Sequence, residues 1–548
     1  MKNKILFLTI LMLVFGNNVY SASITVGLLK HDSGSLDDGY ILFAPCNNTT
    51  TYLIDKCGYV VHSWLSQYRP GLSVYFLPNG KLLKTGVDAF SPFYTGGGGG
   101  YIEILDWDGN VDWQYKISTE NECQHHDVKY MPNGNILVIV WEKKTFEELL
   151  SAGRDPELFN KEFWSEKLLE LRPIGKDSAE IVWEWKAWDH LVQNFDDQKE
   201  NYGIPSDNPQ LMDVNVRKGS GKDAIPDWLH FNSIDYNPKL DQIVISGPFF
   251  NEIWIIDHST TKAEAASHIG GKYGKGGDFL YRWGNPIMYN HGTAEDQQLF
   301  YQHDAYWIPE GFPNAGKIML FNNWRGPTTA KYSSVDIIST PLTESGSYDQ
   351  TLPFGPIAPD WSYKGDGFFA KNISGAQQLI NGNVLICNGP AGTFFEIDKD
   401  KNKVWEYVNP VKASGPIAQG SPALANDVFR CTYYPVDYSG FEGKNFSNKK
   451  LIENKNVNSY GCTLFDGVEE TGTIDELTVY PNPTDEEITI ETEYLSYTIE
   501  LLDANGNKIV TTKNTNKIST KDLPNGMYFI HLISDSGNIT SNKFIIKR

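Results

Sequence analysis

Residues Met131–Trp141 read MPNGNILVIVW, and Cys123–Tyr130 before them read CQHHDVKY. An Asn-Gly pair between two β-rich runs is a strong hairpin signal. The same turn returns as LPNGKLLKTG from Leu77 and LINGNVLICNG from Leu379, and more loosely as YNPKLDQIVISG from Tyr236 and IPEGFPNAGKIMLF from Ile308. Each copy sits inside a set of four short strands. One set runs LSVYFLP, KLLKTG, YIEILDWDG, VDWQYKI; another runs FNSIDYN, QIVISGPFF, EIWIIDHS, FLYRWGN. Five such units follow one another, with Trp113, Trp183, Trp283, Trp361 and Trp405 near their outer ends.

Four-stranded units repeating at tens of residues read as propeller blades. A sixth blade assembles from both ends: YILFAP, TYLIDK and YVVHSW give three strands, and DVFRCTYYP gives the innermost. Pairing Val428–Pro435 with Tyr40–Pro45 would close the ring and remove its free edges. The expected fold is therefore all-β: a six-bladed β-propeller followed by a small C-terminal β-sandwich. The insertions Lys143–Trp164 and Asp189–Asp227 are expected as loops or short helices on one rim. DWDGN (Asp106–Asn110) reads as a hairpin turn rather than a calcium loop, because no later glutamate completes an EF-hand.

The 548 residues carry 47 Lys and Arg against 68 Asp and Glu, a formal net charge of −21. With no basic block, that acidity argues against nucleic acid or an anionic membrane surface as partner. MKNK, ILFLTILMLVF and NNVYSA have the order of a secretory signal peptide, so residues 1–21 are expected to be removed and no span to remain in the mature protein. The propeller is expected over 22–473 and a separate domain over 474–548. Of the six cysteines, Cys46 and Cys57 flank one apparent hairpin and are the first expectation for a disulfide; Cys387 reads as a free buried thiol.

Aligned on their turns, the innermost strands bring histidines into register. His126 and His303 each precede their turn by five residues and each is followed by an aspartate; His230 lies one residue off that register. Ser374 and Phe429 hold it in the remaining units, with Arg430 next. The start of an innermost strand faces the channel, so His126, His230 and His303 are expected at one funnel mouth. Asp127 and Asp304 are expected to orient neighbouring rings. Arg325, in FNNWRG, and Arg430 could face the same opening, and a guanidinium fork suits a sulfate or phosphate group. Catalytic zinc needs tighter geometry and a second shell, so no metal and no cofactor are expected.

DWLHFNSIDYNPKLDQIVIS, QHDAYWIPEG with GKIMLFNNWRG, and SGAQQLINGNVLICNG with VWEYVNP resemble the bacterial aryl-sulfate sulfotransferases over roughly Gly39–Gly443. The resemblance implies a secreted six-bladed propeller that moves a sulfuryl group from a phenolic sulfate to a phenolic acceptor, without a nucleotide donor. It implies ping-pong transfer through a histidine. His230 matches the histidine before the Asn-Ser pair, His303 the later channel histidine, and Arg325 the arginine after it. The catalytic candidates are thus His126, His230, His303 and Arg325; Asn232, Asn322 and Arg430 are the substrate-binding candidates. The family's nucleophile lies after that arginine, yet no histidine occurs here between His303 and His531. His303 is slightly favoured as carrier, His126 follows, and His230 would act as acid and base. FSPFY from Phe90 and WKAWDH from Trp185 could stack an aryl ring. Two rivals stand: a non-catalytic propeller that binds sulfated or other anionic ligands, favoured by the missing late histidine, and a metal-dependent enzyme, favoured only by the histidine count. From about Ile474, YPNP, D-x-x-G and L-x-x-G-x-Y resemble the C-terminal sorting domain of the type IX secretion system, implying that machinery as partner and a secreted or surface location.

Overall fold

The strand Ile136–Lys143 has no polar face because it is covered on both. Successive strand residues point to opposite sides. Ile136, Val138 and Val140 accordingly join Leu83, Ile102 and Val128 on one side, while Leu137 and Ile139 join Ile243, Ile245 and Trp254 on the other. Sheets stacked face to face in this way explain apolar runs where a half-solvated strand would alternate. Each such buried side chain contributes about 1.5–3 kcal/mol relative to exposure.

The computed structural model describes residues 24–548 except 159–161, 217–225, 328, 447–449, 455–461, 463–476, 493–495, 504–506 and 535–538. The expected leader and the expected boundary at 473/474 lie outside the described residues. The chain divides into two compact units, Met1–Cys462 and Thr463–Arg548.

The first unit is nearly all antiparallel sheet. In chain order, sheets open on the edge strands Pro70–Phe76, Glu122–Tyr130, Ser233–Asn237, His303–Trp307 and Gly375–Gln378, and a further sheet opens on Val428–Pro435. We number these sheets one to six. In the sixth, Val428–Pro435 pairs with Gly39–Pro45, as the sequence led us to expect. Among the strands not foreseen, Gly27–His31 adds to the fifth sheet beside Lys403–Val408, Lys450–Leu451 adds to the sixth beside Tyr59–Leu65, and Leu191–Val192 pairs with Met212–Asp213 in an insertion expected as loops or short helices.

Apolar clusters fill the spaces between consecutive sheets, and another lies between sheets six and one. At the outer ends, tryptophans reach across to the following sheet. Trp113 donates to Ser178 O (2.8 Å), Trp283 to Pro356 O (2.7 Å), Trp405 to Lys56 O (2.7 Å) and Trp64 to Asp106 O (3.1 Å). The insertion after Lys143 contains the helix Phe146–Ser151, which Thr145 and Glu148 start with a reciprocal capping box.

The disulfide expectation is corrected. Cys57 pairs with Cys462, 405 residues away, and Cys46 is free. Cys46 precedes and Cys57 follows the strand Thr50–Asp55. A six-residue strand separates its ends by ~20 Å, far beyond disulfide reach. Cys387 is free and buried, as expected.

The second unit has a three-stranded sheet (Thr478–Tyr480, Glu487–Glu491, Lys517–Ser519) and a four-stranded one (Lys508–Lys513, Tyr497–Leu502, Gly526–Ser534, Ile539–Ile546). Residues of both share one apolar cluster that includes Val479, Ile488, Ile499, Leu501, Ile530 and Phe544.

Candidate active site

The histidines sit where their strands break regularity. Between Gln124 and Val128 the pairing with the next strand slips, so His125, His126 and Asp127 together oppose one residue. His126 has φ 49°, His230 φ 58° and Asp304 φ 58°, all left-handed. Bulges and such conformations re-aim side chains and gather at functional positions. Gly97 makes the bulge possible: its carbonyl accepts from His126 N–H (2.8 Å), and a Cβ there would stand 1.9 Å from the imidazole. Gly97 is thus the close wall of the His126 ring, and Gly99 approaches Gln124 in the same strand.

Hydrogen bonds fix which ring nitrogens carry protons. His125 Nε2 lies 2.7 Å from Glu166 Oε2 and its Nδ1 lies 2.8 Å from His126 Nδ1. A carboxylate accepts, so His125 donates from Nε2 and offers its Nδ1 lone pair. His126 then donates from Nδ1 and is left with a lone pair on Nε2, which has no hydrogen-bond partner among the described residues. Burial pushes the pKa of both rings well down, and for His126 the neighbouring His230, His125, His303 and Arg430 add to the effect. Both are neutral. The His126 ring meets His230 edge to face at 4.5 Å. His230 donates from Nδ1 to Asp227 Oδ2 (2.5 Å) and stacks on Phe249 at 4.5 Å.

His303 differs. Its Nδ1 faces Asn323 Oδ1 (2.9 Å) and Tyr301 O (3.1 Å), both acceptors, while its Nε2 accepts from Ile373 N–H (3.2 Å). Both nitrogens are engaged, and burial lowers its pKa to about 3.

Asp127 and Asp304 do not hold histidine rings; they bind Arg430, at 2.7 and 3.0 Å. Each also accepts from the backbone of the following sheet, Asp127 from Ile234 N–H (3.3 Å) and Asp304 from Ala376 N–H (3.0 Å). Arg430 further donates to Tyr75 Oη (3.1 Å) and Asn232 O (2.8 Å), so its fork pins strands together instead of facing the opening. Burial raises Asp304 to about 6 even with Arg430 beside it. Arg325 pairs with Asp336 (3.3 Å), and its side chain keeps 22 % exposure. Asn322 is spent within the fold, accepting from Phe300 N–H (2.9 Å) and donating to Gln298 O (2.8 Å). Asn232 donates to Gln302 O (2.8 Å), whereas its buried Oδ1 has no donor among the described residues.

In WKAWDH, Trp185 is buried, stacked on His190 at 5.5 Å, and cannot meet a ligand, whereas Trp188 is half-buried. In FSPFY, Phe93 is buried against Trp164, while Phe90 and Tyr94 are exposed. Sequence reading missed a run of rings that leads away from His230, in which Phe249 meets Tyr301 at 6.3 Å and Tyr301 meets Trp324 at 5.2 Å. It also missed Glu166, Asp227 and His125. Gly97, inside a run of five glycines, was the available signal, since a close backbone approach calls for glycine.

The arylsulfotransferase (ASST) family pattern matches residues 25–418, and the secretion system C-terminal sorting domain matches 478–547. No curated protein matches the chain. Among solved structures, a protein of unknown function from Bacteroides caccae is 12 % identical, covering 73 % of this chain and 99 % of its own, with a TM-score of 0.38. Virginiamycin B lyase from Staphylococcus aureus is 9 % identical over 70 % of this chain and 89 % of its own, with a TM-score of 0.30. AztD from Citrobacter koseri is 8 % identical over 73 % and 98 %, with a TM-score of 0.32.

Proposed function

The chain belongs to the arylsulfotransferase family, and from that premise we propose that it transfers sulfuryl groups between phenols by a ping-pong route in which His126 is the carrier. The observation that carries this reading is the proton inventory: Glu166 and His125 leave a neutral His126 with its Nε2 lone pair beside His230. His303, favoured from sequence, has its Nε2 lone pair occupied by Ile373 N–H.

In the first half-reaction His126 Nε2 attacks sulfur and the sulfur–oxygen bond to the aryl group breaks. The departing phenolate takes a proton from Nε2 of His230, which enters the step as the imidazolium with its Nδ1–H on Asp227 and leaves it neutral. Charge developing on the His126 ring passes through Nδ1–H and His125 to the Glu166 carboxylate, two hydrogen bonds away. The second half-reaction reverses these steps with a new phenol: His230 removes its proton, its oxygen attacks sulfur, and the nitrogen–sulfur bond breaks. Asp227 holds His230 in orientation. Asn323 and Ile373 keep His303 in place as a polar wall of the site. Phe249, Tyr301 and Trp324 offer faces for the aryl ring. Arg325, partly exposed, could release one N–H from Asp336 to a sulfuryl oxygen.

The scaffold we propose is a six-bladed propeller over 22–473. Sheets joined in chain order by apolar clusters, with another cluster between the sixth and first, support it. The C-terminal domain belongs to the secretion sorting family and marks the chain for secretion or the cell surface. Use of the type IX machinery, with loss of both 1–21 and 474–548, is part of the proposal.

Incubation with 4-nitrophenyl sulfate alone tests the chemistry. One equivalent of nitrophenol should appear, with an acid-labile SO₃ adduct on His126, and added phenol should restart release. Binding without any nitrophenol would instead support the purely ligand-binding reading, and an adduct on another histidine would reassign the carrier.

A further inference from the structure

Away from these histidines, Asp278 gathers two others. Its Oδ1 lies 2.8 Å from His190 Nδ1 and 2.7 Å from His268 Nδ1. His190 and Asp278 are buried, and the His268 side chain is 58 % exposed. The other nitrogen of His190, Nε2, lies 2.8 Å from Ala265 O, which can only accept. A neutral His190 therefore carries its proton on Nε2 and turns a lone pair toward a carboxylate oxygen. Two acceptors at hydrogen-bond distance require a positive charge between them: a proton or a metal ion. A histidine whose far N–H is held by a backbone carbonyl, with its lone pair toward a shared point, is the usual setting of a metal ligand.

The loop that brings these groups together is built for close approach. A Cβ at Gly277 would stand 2.1 Å from Ala265 O and 2.5 Å from His190 Nε2, so no larger residue fits there. Gly276 has φ +55°, and a Cβ on it would stand 2.1 Å from Ser267 O. His190 follows the second sheet; His268 and Asp278 lie in the segment between Glu252–Asp257 and Tyr281–Trp283 of the third. A bound ion would join them across 88 residues of sequence.

We propose that His190, His268 and Asp278 form a binding site for a divalent transition-metal ion of the zinc type. Two imidazoles and one carboxylate select Zn²⁺, Co²⁺, Ni²⁺ or Cu²⁺ over Mg²⁺ and Ca²⁺, which prefer oxygen ligands. The donors lie within 4.8 Å of one another, and tetrahedral ligation at about 2.0–2.1 Å asks them to spread by roughly half an ångström. Water can complete the shell beside the exposed His268. The site shares no residue with the cluster of His126, His230 and Asp227, and a bound ion there would fasten neighbouring sheets.

The full chain, stripped with a chelator, is titrated calorimetrically with ZnCl₂ alongside His268→Ala and Asp278→Asn. We expect saturable binding at this site, weakened at least ~10-fold in each variant, and a rise in Tm with zinc that the variants lack. His268→Ala, at an exposed position, leaves the fold intact and should keep full sulfuryl transfer. Absence of saturable binding, or binding unchanged in His268→Ala, overturns the site and leaves a proton between His190 and Asp278. Transfer activity is read separately with nitrophenyl sulfate, so failure of either proposal is visible without the other.

Discussion

His126 owes its place to residues that never touch a substrate. Glu166 fixes the His125 tautomer, His125 fixes that of His126, and Gly97 leaves room for the ring. His126→Ala should lower transfer by at least ~10³-fold and abolish the covalent adduct, as loss of a nucleophile does. Glu166→Gln keeps the shape but can donate to His125, which reverses the proton order; turnover should fall ~10- to 10²-fold while the protein still binds the aryl sulfate, measured as a change in kcat with KM nearly unmoved. These partners were not legible in the sequence. Asp127 follows His126, so adjacency suggested that it served the ring. The bulge at His125–Asp127 re-aims these side chains, and Asp127 instead meets Arg430 and the third sheet. Glu166 lies 41 residues from His125, a distance over which no local pattern announces a contact.

The four-strand units, by contrast, were readable, because a turn chemistry and a strand period are both local. The Asn-Gly turns located the hairpins, and the tryptophans marked the outer strands. What escaped notice were additions to sheet edges, such as Gly27–His31, since any short apolar run can fill an edge and the sequence does not say which. Clamps between sheets escaped for the same reason. His258, just after Glu252–Asp257 in the third sheet, lies 2.7 Å from Asp241 and 3.0 Å from Glu170 of the second. Although burial opposes it, hydrogen bonds to these carboxylates raise its pKa to about 9 from an ordinary 6.5. The raised value means that the clamp's stability is fully present below pH 6.5, declines above it and is gone once pH passes 9. The effect is on the order of 3 kcal/mol. Denaturant midpoints at pH 6 and pH 9.5 should differ accordingly in the native protein. In His258→Gln that difference should shrink, with transfer at neutral pH unchanged.

Across the whole molecule, long-range closures complete the first unit. The Cys57–Cys462 bridge closes a loop of 405 residues, for which chain entropy allows up to about 6 kcal/mol. Cys462→Ser should therefore lower Tm clearly, with any activity loss following stability rather than chemistry. A chain ending just after Cys462 should stay folded and active by nitrophenol release, because the second unit has its own core. One ending before Asn426 should not fold, since it lacks Val428–Pro435 and Arg430. That last omission has a consequence in time. Arg430 is made after Tyr75, Asp127, Asn232 and Asp304, the residues it binds. Until it emerges, two carboxylates bound for the interior lack their ion-pair partner, and burying them unpaired would cost several kcal/mol each. The polypeptide thus carries a late latch: its earlier portions stay pliant during synthesis, and the finished interior can set only once nearly the entire first unit exists.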